Sequence, residues 1–368
     1  MSRQGSIGIL QASMMVVLLV GITTHVTIIP ILLQVSGRDA WIAVLVTALV
    51  YLPWTMLIYA IMKWTHNQPL IQWLERATWK PFACLIAFLL SLYTFSMGLV
   101  SLKEMVTWTV GIYLPDTPQL VIVFMTVLVC CLAAILGIRS IAITSGILLP
   151  IVVILGYFVM TANFQHKNYQ LLTPLLENGI SPVLQGCIYA GGGFVETIFL
   201  LLTQHHLKKP FKKWQILFLA AFIVMLTIGP LTGAIAEFGP VEAAKQRYPA
   251  FVEWRLVKIG KYIEHLDFLS LYQWFSGVFI RLSLVLYVSG DLLSSFIPIK
   301  RNTILVILSF LMVGMTMWPL SDVLFYRFLM VVYFPYCFVF SLSTSILLFG
   351  IALLSRKRKE GYQHENGA

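Results

Sequence analysis

The chain has 368 residues, 59% of them hydrophobic and 11% charged, with a formal net charge of +10. A soluble domain carries about 25% charged residues, and a mean hydropathy of +0.87 leaves more apolar surface than a soluble shape can hide, so the excess faces lipid. The positive charges fall in short runs between long apolar stretches and lack aromatic interleaving, which argues against a nucleic-acid partner and fits basic loops at a lipid bilayer.

Apolar windows of about 20 residues, enough to cross roughly 30 Å of hydrocarbon, predict ten transmembrane helices. They cover approximately 8–33, 40–62, 81–111, 118–137, 140–162, 181–203, 214–236, 267–297, 303–319 and 324–354. The first is read as a span that stays in the protein, because its apolar run continues past Thr23-Thr24-His25 to Leu33 without a small-residue cleavage site. Leu70–Thr78, with Trp73, Glu75 and Arg76, reads as an interfacial helix between spans two and three. The loop 238–266 is the one large extramembrane piece. Its Phe251, Trp254 and Lys258 fall at near-helical spacing, predicting an amphipathic helix on the membrane surface or over the protein's mouth. The tail 355–368 is basic and solvated.

Placing the N-terminus in the cytoplasm puts fifteen Lys and Arg residues on inner segments and seven on outer ones, five of the seven in the 238–266 loop. The bias predicts that both termini are cytoplasmic. The chain is then a single transmembrane unit over 1–368, all-α and polytopic.

Ionisable side chains and broken backbone are costly in lipid unless they line a cavity or are packed inside protein, so they mark candidate sites. Span one is interrupted at Gly21-Ile22-Thr23-Thr24-His25. Span six carries Gly191-Gly192-Gly193 and then Glu196. Three glycines in a row cost helix stability, roughly 1 kcal/mol each, which predicts an unwound segment with exposed peptide groups. Glu196 is either a cation or amine acceptor or a structural carboxyl. His25 reads as a packed histidine or a proton carrier. The two interruptions are five helices apart, the spacing of two five-helix inverted repeats (8–162 and 181–319), each opening with a discontinuous helix.

Lys103 and Glu104 lie in span three, Val100 one turn before Glu104. Arg281 and Asp291 lie in span eight with Ser283 and Tyr287 on a neighbouring face. These charges predict a buried polar network, serving either ion pairing within the bundle or ligand contact. Asp291 is nearer the inner end and structural. His205-His206 in the basic inner loop reads as a solvated junction. There is no phosphate loop, GxSxG or HExxH, so no enzyme, cofactor or metal site is expected.

Several stretches resemble the endospore germination permeases, the B subunits of nutrient germinant receptors. They are Gly37-Arg38-Asp39-Ala40-Trp41, Gly191–Glu196, and above all Arg247-Tyr248-Pro249-Ala250-Phe251-Val252-Glu253-Trp254-Arg255 continuing through Lys258–Asp267 into Tyr272-Gln273-Trp274-Phe275-Ser276-Gly277. The resemblance covers essentially the whole chain. It implies a LeuT-like fold within the amino acid/polyamine/organocation transporter superfamily, a place in the spore inner membrane, and action with an A subunit and a lipoprotein C subunit. The implied ligand pocket comprises Gly21, Thr23, Thr24, Val100, Glu104, Gly191–Glu196 with Phe199, Arg281 and Ser283. Ile22-Thr23-Thr24-His25 and Arg281 depart from the amino-acid-sensing members, so the nutrient is left open among amino acids, nucleosides and sugars. The leading expectation is a receptor that binds this nutrient at the midplane and signals germination to its partners. The alternative is a secondary transporter, coupled to a proton on Glu104, Glu196 or His25.

Overall fold

The computed structural model describes residues 6–260 and 264–365, with side chains described as far as Arg356. Arg3, Lys261, Tyr262 and Ile263, and the basic side chains beyond Arg356, lie outside the described residues. Among the described residues, eight stretches are long and apolar enough to cross a membrane. The first, Ile9–Trp64, is 56 residues long and folds back on itself: α1 (Ile9–Ile22) and α2 (Ile28–Ser36) run up to Gly37, where α3 (Ala40–Trp64) begins. Gly37 has φ of 54°, a conformation that suits glycine, so this turn makes two crossings from one apolar run. A shorter apolar helix, Arg301–Thr316, adds a further crossing. The order and approximate bounds of the ten expected spans are thus recovered in an all-helical membrane protein.

After α3 comes α4 (Leu70–Ala77), with Leu70, Ile71, Trp73 and Leu74 buried and Glu75 and Arg76 exposed, the expected two-sided short helix. Spans three to five are α5 (Lys80–Ile112), α6 (Gln119–Leu136) and α7 (Ile138–Ala162). Span six is α8 (Ser181–Phe194), a 3-10 turn over Val195–Ile198, and α9 (Phe199–Thr203). Span seven is α10 (Lys213–Phe238), followed by the loop helices α11 (Pro240–Lys245) and α12 (Pro249–Leu256). Spans eight and nine are α13 (Leu269–Ser294) and α14 (Arg301–Thr316). Span ten is α15 (Asp322–Phe328), one π-helical turn over Leu329–Tyr333, and α16 (Phe334–Glu365).

Within the bundle α2 packs on α8, α3 on α10, α5 on α13 and α6 on α14, so each of the first four spans touches the span five places later. Ser6 and Ile7 donate their N–H groups to the His206 carbonyl at 2.8 and 3.0 Å, and Lys208 returns a bond to the Ile7 carbonyl at 2.9 Å. The amino end is thereby stitched to the link between spans six and seven.

Both interruptions are milder than unwinding. Thr23–Thr27 forms a π-helical turn, and the freed carbonyls are met by hydroxyls, Thr24 to Val20 at 3.0 Å and Thr27 to Ile22 at 3.5 Å. In span six the helix continues through the glycine triplet, and the irregularity lies just after it. The glycines serve close approach instead. A Cβ on Gly192 would lie 2.9 Å from the Phe334 carbonyl oxygen, and one on Gly193 would lie 3.2 Å from the Thr24 methyl. Small residues let backbones approach in lipid, and this explains the triplet without bare peptide groups.

The loop helix is also corrected. α12 ends at Leu256, so Lys258 lies beyond it, pairing with Glu264 at 3.0 Å. Phe251 packs edge-on against Trp108 and Tyr113, and the Trp254 indole bonds Gln273 at 2.8 Å. The helix therefore lies over the bundle, on the face opposite the termini.

Candidate functional site

The centre of the bundle holds an ion pair. Arg281 of α13 bonds Glu196 through both terminal nitrogens, Nη1 to Oε2 at 2.6 Å and Nη2 to Oε1 at 2.7 Å. Both side chains are 1% exposed. A bidentate guanidinium–carboxylate pair is the strong form of this interaction, and in a dry interior it must be nearly fully satisfied to stand.

The irregular turns supply the remaining partners. Thr23 Oγ1 donates to Glu196 Oε1 at 2.9 Å. The Thr23 N–H turns to the Val20 carbonyl, and the Leu19 carbonyl accepts Arg281 Nη1 at 2.6 Å. A regular α-helix would commit the Leu19 carbonyl to the residue-23 amide, so the disturbance in span one frees an acceptor for the arginine. Across the 3-10 turn, Tyr51 Oη meets Thr197 Oγ1 at 2.7 Å and its ring stacks on Phe194 at 4.7 Å between centroids.

Hydroxyls and a thiol surround the pair. Tyr93 of α5, Tyr333 of the π-turn and Cys337 of α16 lie within electrostatic reach of both Glu196 and Arg281. Tyr93 pairs with Ser341 and Tyr333 with Cys337, Ser283 is engaged by Cys130 of α6, and Arg281 Nε is buried without a hydrogen bond.

The expected residues divide accordingly. Thr23, Glu196 and Arg281 meet directly. Ser283 is fully buried on the same helix as Arg281. Thr24 packs on Gly193, and Gly21 faces Leu226. Val100 and Phe199 are buried in the core.

Glu104 stands apart, eleven residues beyond Tyr93 on α5 and so roughly 16 Å along the axis. It is paired with Arg247 of the loop, whose guanidinium lies 3.5 Å from Asp322 and between the rings of Tyr248 and Tyr326 at 4.7 and 4.6 Å. Lys103 Nζ donates to the Thr316 and Trp318 carbonyls at 3.2 and 3.5 Å, closing the end of α14. His25 Nδ1 is 3.2 Å from the Leu226 carbonyl.

Asp291 lies towards the termini, between His205 at 3.5 Å and Arg301 at 3.3 Å. His206 meets Tyr287 Oη at 3.1 Å, and Arg301 lies 4.2 Å over the Tyr287 ring. The two histidines are therefore engaged side chains and not a solvated junction. His205, His206 and Asp291 bring ligating atoms within 4.8 Å of one another, with Arg301 already providing the counter-charge.

Sequence reasoning missed Tyr93, Tyr333, Cys337, Ser341 and Arg247. Span ten gave one usable signal, the Tyr333-Phe334-Pro335 break in an otherwise apolar run.

A family model described as spore germination protein matches residues 7–322. This chain belongs to the spore germination permease family. Spore germination protein XB of Bacillus anthracis is 44% identical over 339 residues, spanning 92% of this chain and 95% of that one. Spore germination protein KB of Bacillus subtilis (strain 168) is 24% identical over 265 residues, 69% of each chain. A putative spore germination protein of the same organism, YfkT, is 24% identical over 264 residues, 70% of this chain and 72% of its own length. The permease family is a membrane family tied to spore germination and is not a known enzyme class.

Proposed function

We propose that this protein is the membrane-embedded subunit of a spore nutrient-germinant receptor. It binds a small nutrient between spans one, three, six, eight and ten and passes the resulting conformational change to its A and C subunits in the spore inner membrane. The carrying observation is the Arg281–Glu196–Thr23 cluster, in which opposite charges on different helices meet at two irregular turns, beside the buried hydroxyls of Tyr93 and Tyr333. Each charge offers a counterpart to one end of a small polar molecule. The helix turns that hold them have alternative hydrogen-bonding patterns within reach.

The pairing of each early span with the one five places later supports the reading of 8–162 and 181–319 as inverted repeats that rock about this centre. The basic bias of the face that carries the termini supports a cytoplasmic side for both. The cluster is closed in this structure, with Thr23, Glu196 and Arg281 all buried. A ligand acts by binding the open and closed forms unequally, and a near-complete switch requires about 5.5 kcal/mol of difference.

The test is thermal denaturation of the full-length protein in lipid nanodiscs with amino acids, nucleosides and sugars in turn. One class is expected to raise Tm saturably, by about 2.7 kcal/mol of stabilisation at a hundredfold excess over Kd. The double variant E196Q/R281Q, which leaves no unpaired charge, is expected to lose that shift. A shift that survives in the double variant overturns the assignment. Saturable accumulation of the nutrient in vesicles holding this chain alone favours transport over sensing.

A further inference from the structure

A second group of buried ionisable side chains lies where the 238–266 loop covers the bundle, away from the Arg281–Glu196 pair. Lys167, from the link between spans five and six, and Glu237, near the end of α10, have side chains 3% and 0% exposed and pair at 3.2 Å. Glu253 of α12 is 6% exposed. Its Oε1 and Lys167 Nζ would lie 3.3 and 3.4 Å from a Cβ on Gly233, so the two side chains converge on the same glycine, one turn before Glu237. Asn163 donates its amide to the Glu253 backbone carbonyl at 2.7 Å. Its own Oδ1, together with Glu253 Oε1 and Glu237 Oε2, the oxygen that Lys167 does not take, is buried without a hydrogen bond.

Two carboxyl groups and one ammonium leave an excess negative charge among side chains that are all nearly buried. An uncompensated buried carboxylate costs several kcal/mol, and such groups neutralise instead. Lys167 pairs with Glu237, and one ammonium cannot also neutralise Glu253. A divalent metal is a poor occupant, since an ammonium already fills the cation's position and repels it. A proton needs no room. It turns Glu253 from an acceptor into a donor, beside acceptors that lack one.

We propose that Glu253, Glu237 and Lys167 form a proton-binding site, and that its occupancy holds α12 docked over the bundle. Burial raises the Glu253 carboxyl well above its ordinary value, Glu237 raises it further, and Lys167 opposes them. The other elements packed on α12 are α10 and the turns Leu266–Phe268 and Thr23–Thr27, with α5 and Tyr113 meeting it through Phe251, and α7 and α13 through Trp254. The ionisable groups on these include, besides Glu237, Asp267, whose carboxylate accepts from Tyr113 Oη at 3.1 Å, Glu104, paired with Arg247, and His25, held on the Leu226 carbonyl.

The sign follows from linkage. Docking takes up a proton, so it is fully favoured at pH below the free carboxyl value of 4.5. Each pH unit between that value and the raised one weakens docking about tenfold. Release of α12 also loosens Arg247, two residues before it, from Glu104. Alkalinity on this face therefore unlatches the loop at two points. The inference stands on this cluster alone and does not depend on the nutrient reading.

The experiment is hydrogen exchange of residues 249–256 in the full-length protein, corrected for intrinsic rates, from about pH 5 to about pH 8. Wild-type protection is expected to fall with pH by up to about tenfold per unit, while Glu253→Gln, a neutral mimic, stays protected throughout. A flat wild-type profile, or an equal slope in the variant, overturns the proposal. Infrared spectroscopy of the wild type supplies a second measurement. A protonated-carboxyl band at neutral pH that is missing in Glu253→Gln supports the site. Its absence from the wild type ends the case even if the variant fails to fold.

Discussion

Arg281 grips Glu196 with two nearly equal bonds, 2.6 and 2.7 Å, from the middle of one span to an irregular turn in another. The two residues are 85 positions apart, and each is a charge that lipid would reject alone. Their union ties spans six and eight together, and through Thr23 and the Leu19 carbonyl it ties in span one.

Removing one partner of such a pair leaves a naked charge. Glu196→Ala is expected to cost about 3–5 kcal/mol of stability, and the double variant with Arg281→Ala less than the sum of the two single changes. Thermal denaturation of all four proteins in one detergent measures the coupling. Additive losses would mean the two side chains act independently.

Gly192 faces a backbone carbonyl that cannot swing away. Gly192→Leu is expected to force α8 from the Phe334 segment, at a cost of about 1–3 kcal/mol or more. Gly314→Ala, with nothing within 4 Å of the new Cβ, is expected to fold as well as wild type. Equal Tm for both variants would refute the close-approach account of the glycine triplet.

Arg247→Gln takes the counter-charge from buried Glu104 and removes a cation stacked between two tyrosines. Loss of a charged hydrogen bond, about 1.5–3 kcal/mol, is expected to appear as faster proteolysis within 240–256, with the centre of the bundle still protected. Glu104→Gln should produce the same local loosening. Unaltered cleavage in both variants would show that the latch carries no load.

Tyr113 Oη donates to the Asp267 backbone carbonyl at 2.9 Å, and burial pushes its phenol up to about 12. Its contribution is fully present below the ordinary phenol value of 10.0 and fades as pH rises through the shifted one. Tyr113→Phe is expected to lose about 0.5–1.5 kcal/mol without altering the pH dependence of Tm at neutral pH. A new neutral-range dependence in the variant would place the titrating group elsewhere.

The spans were legible because crossing hydrocarbon demands about 20 apolar residues, and no soluble packing rule produces ten such runs. Glu196, Arg281 and Thr23 were legible for the converse reason, that charge and broken backbone in lipid must be compensated. Their exclusive pairing was not, since the five charged side chains on spans three, six and eight (Lys103, Glu104, Glu196, Arg281 and Asp291) can combine in several ways. Glu104 was drawn into the pocket because its partner, Arg247, lies 143 residues away in a loop. Tyr93 and Tyr333 went unnoticed because tyrosines are ordinary in apolar helices, and only their position beside the pair distinguishes them. The glycine triplet had the composition of an unwound segment and of a close contact alike, and the Phe334 backbone decides between them.

The stitch joining Ser6 and Ile7 to the carbonyl of His206 has a practical reach. Any swing of the sixth helix pulls Ser6 and the buried Ile7 with it. A substitution that cuts this tether would let the first and sixth spans shift independently, so the coupling of their motions is written partly in three backbone hydrogen bonds.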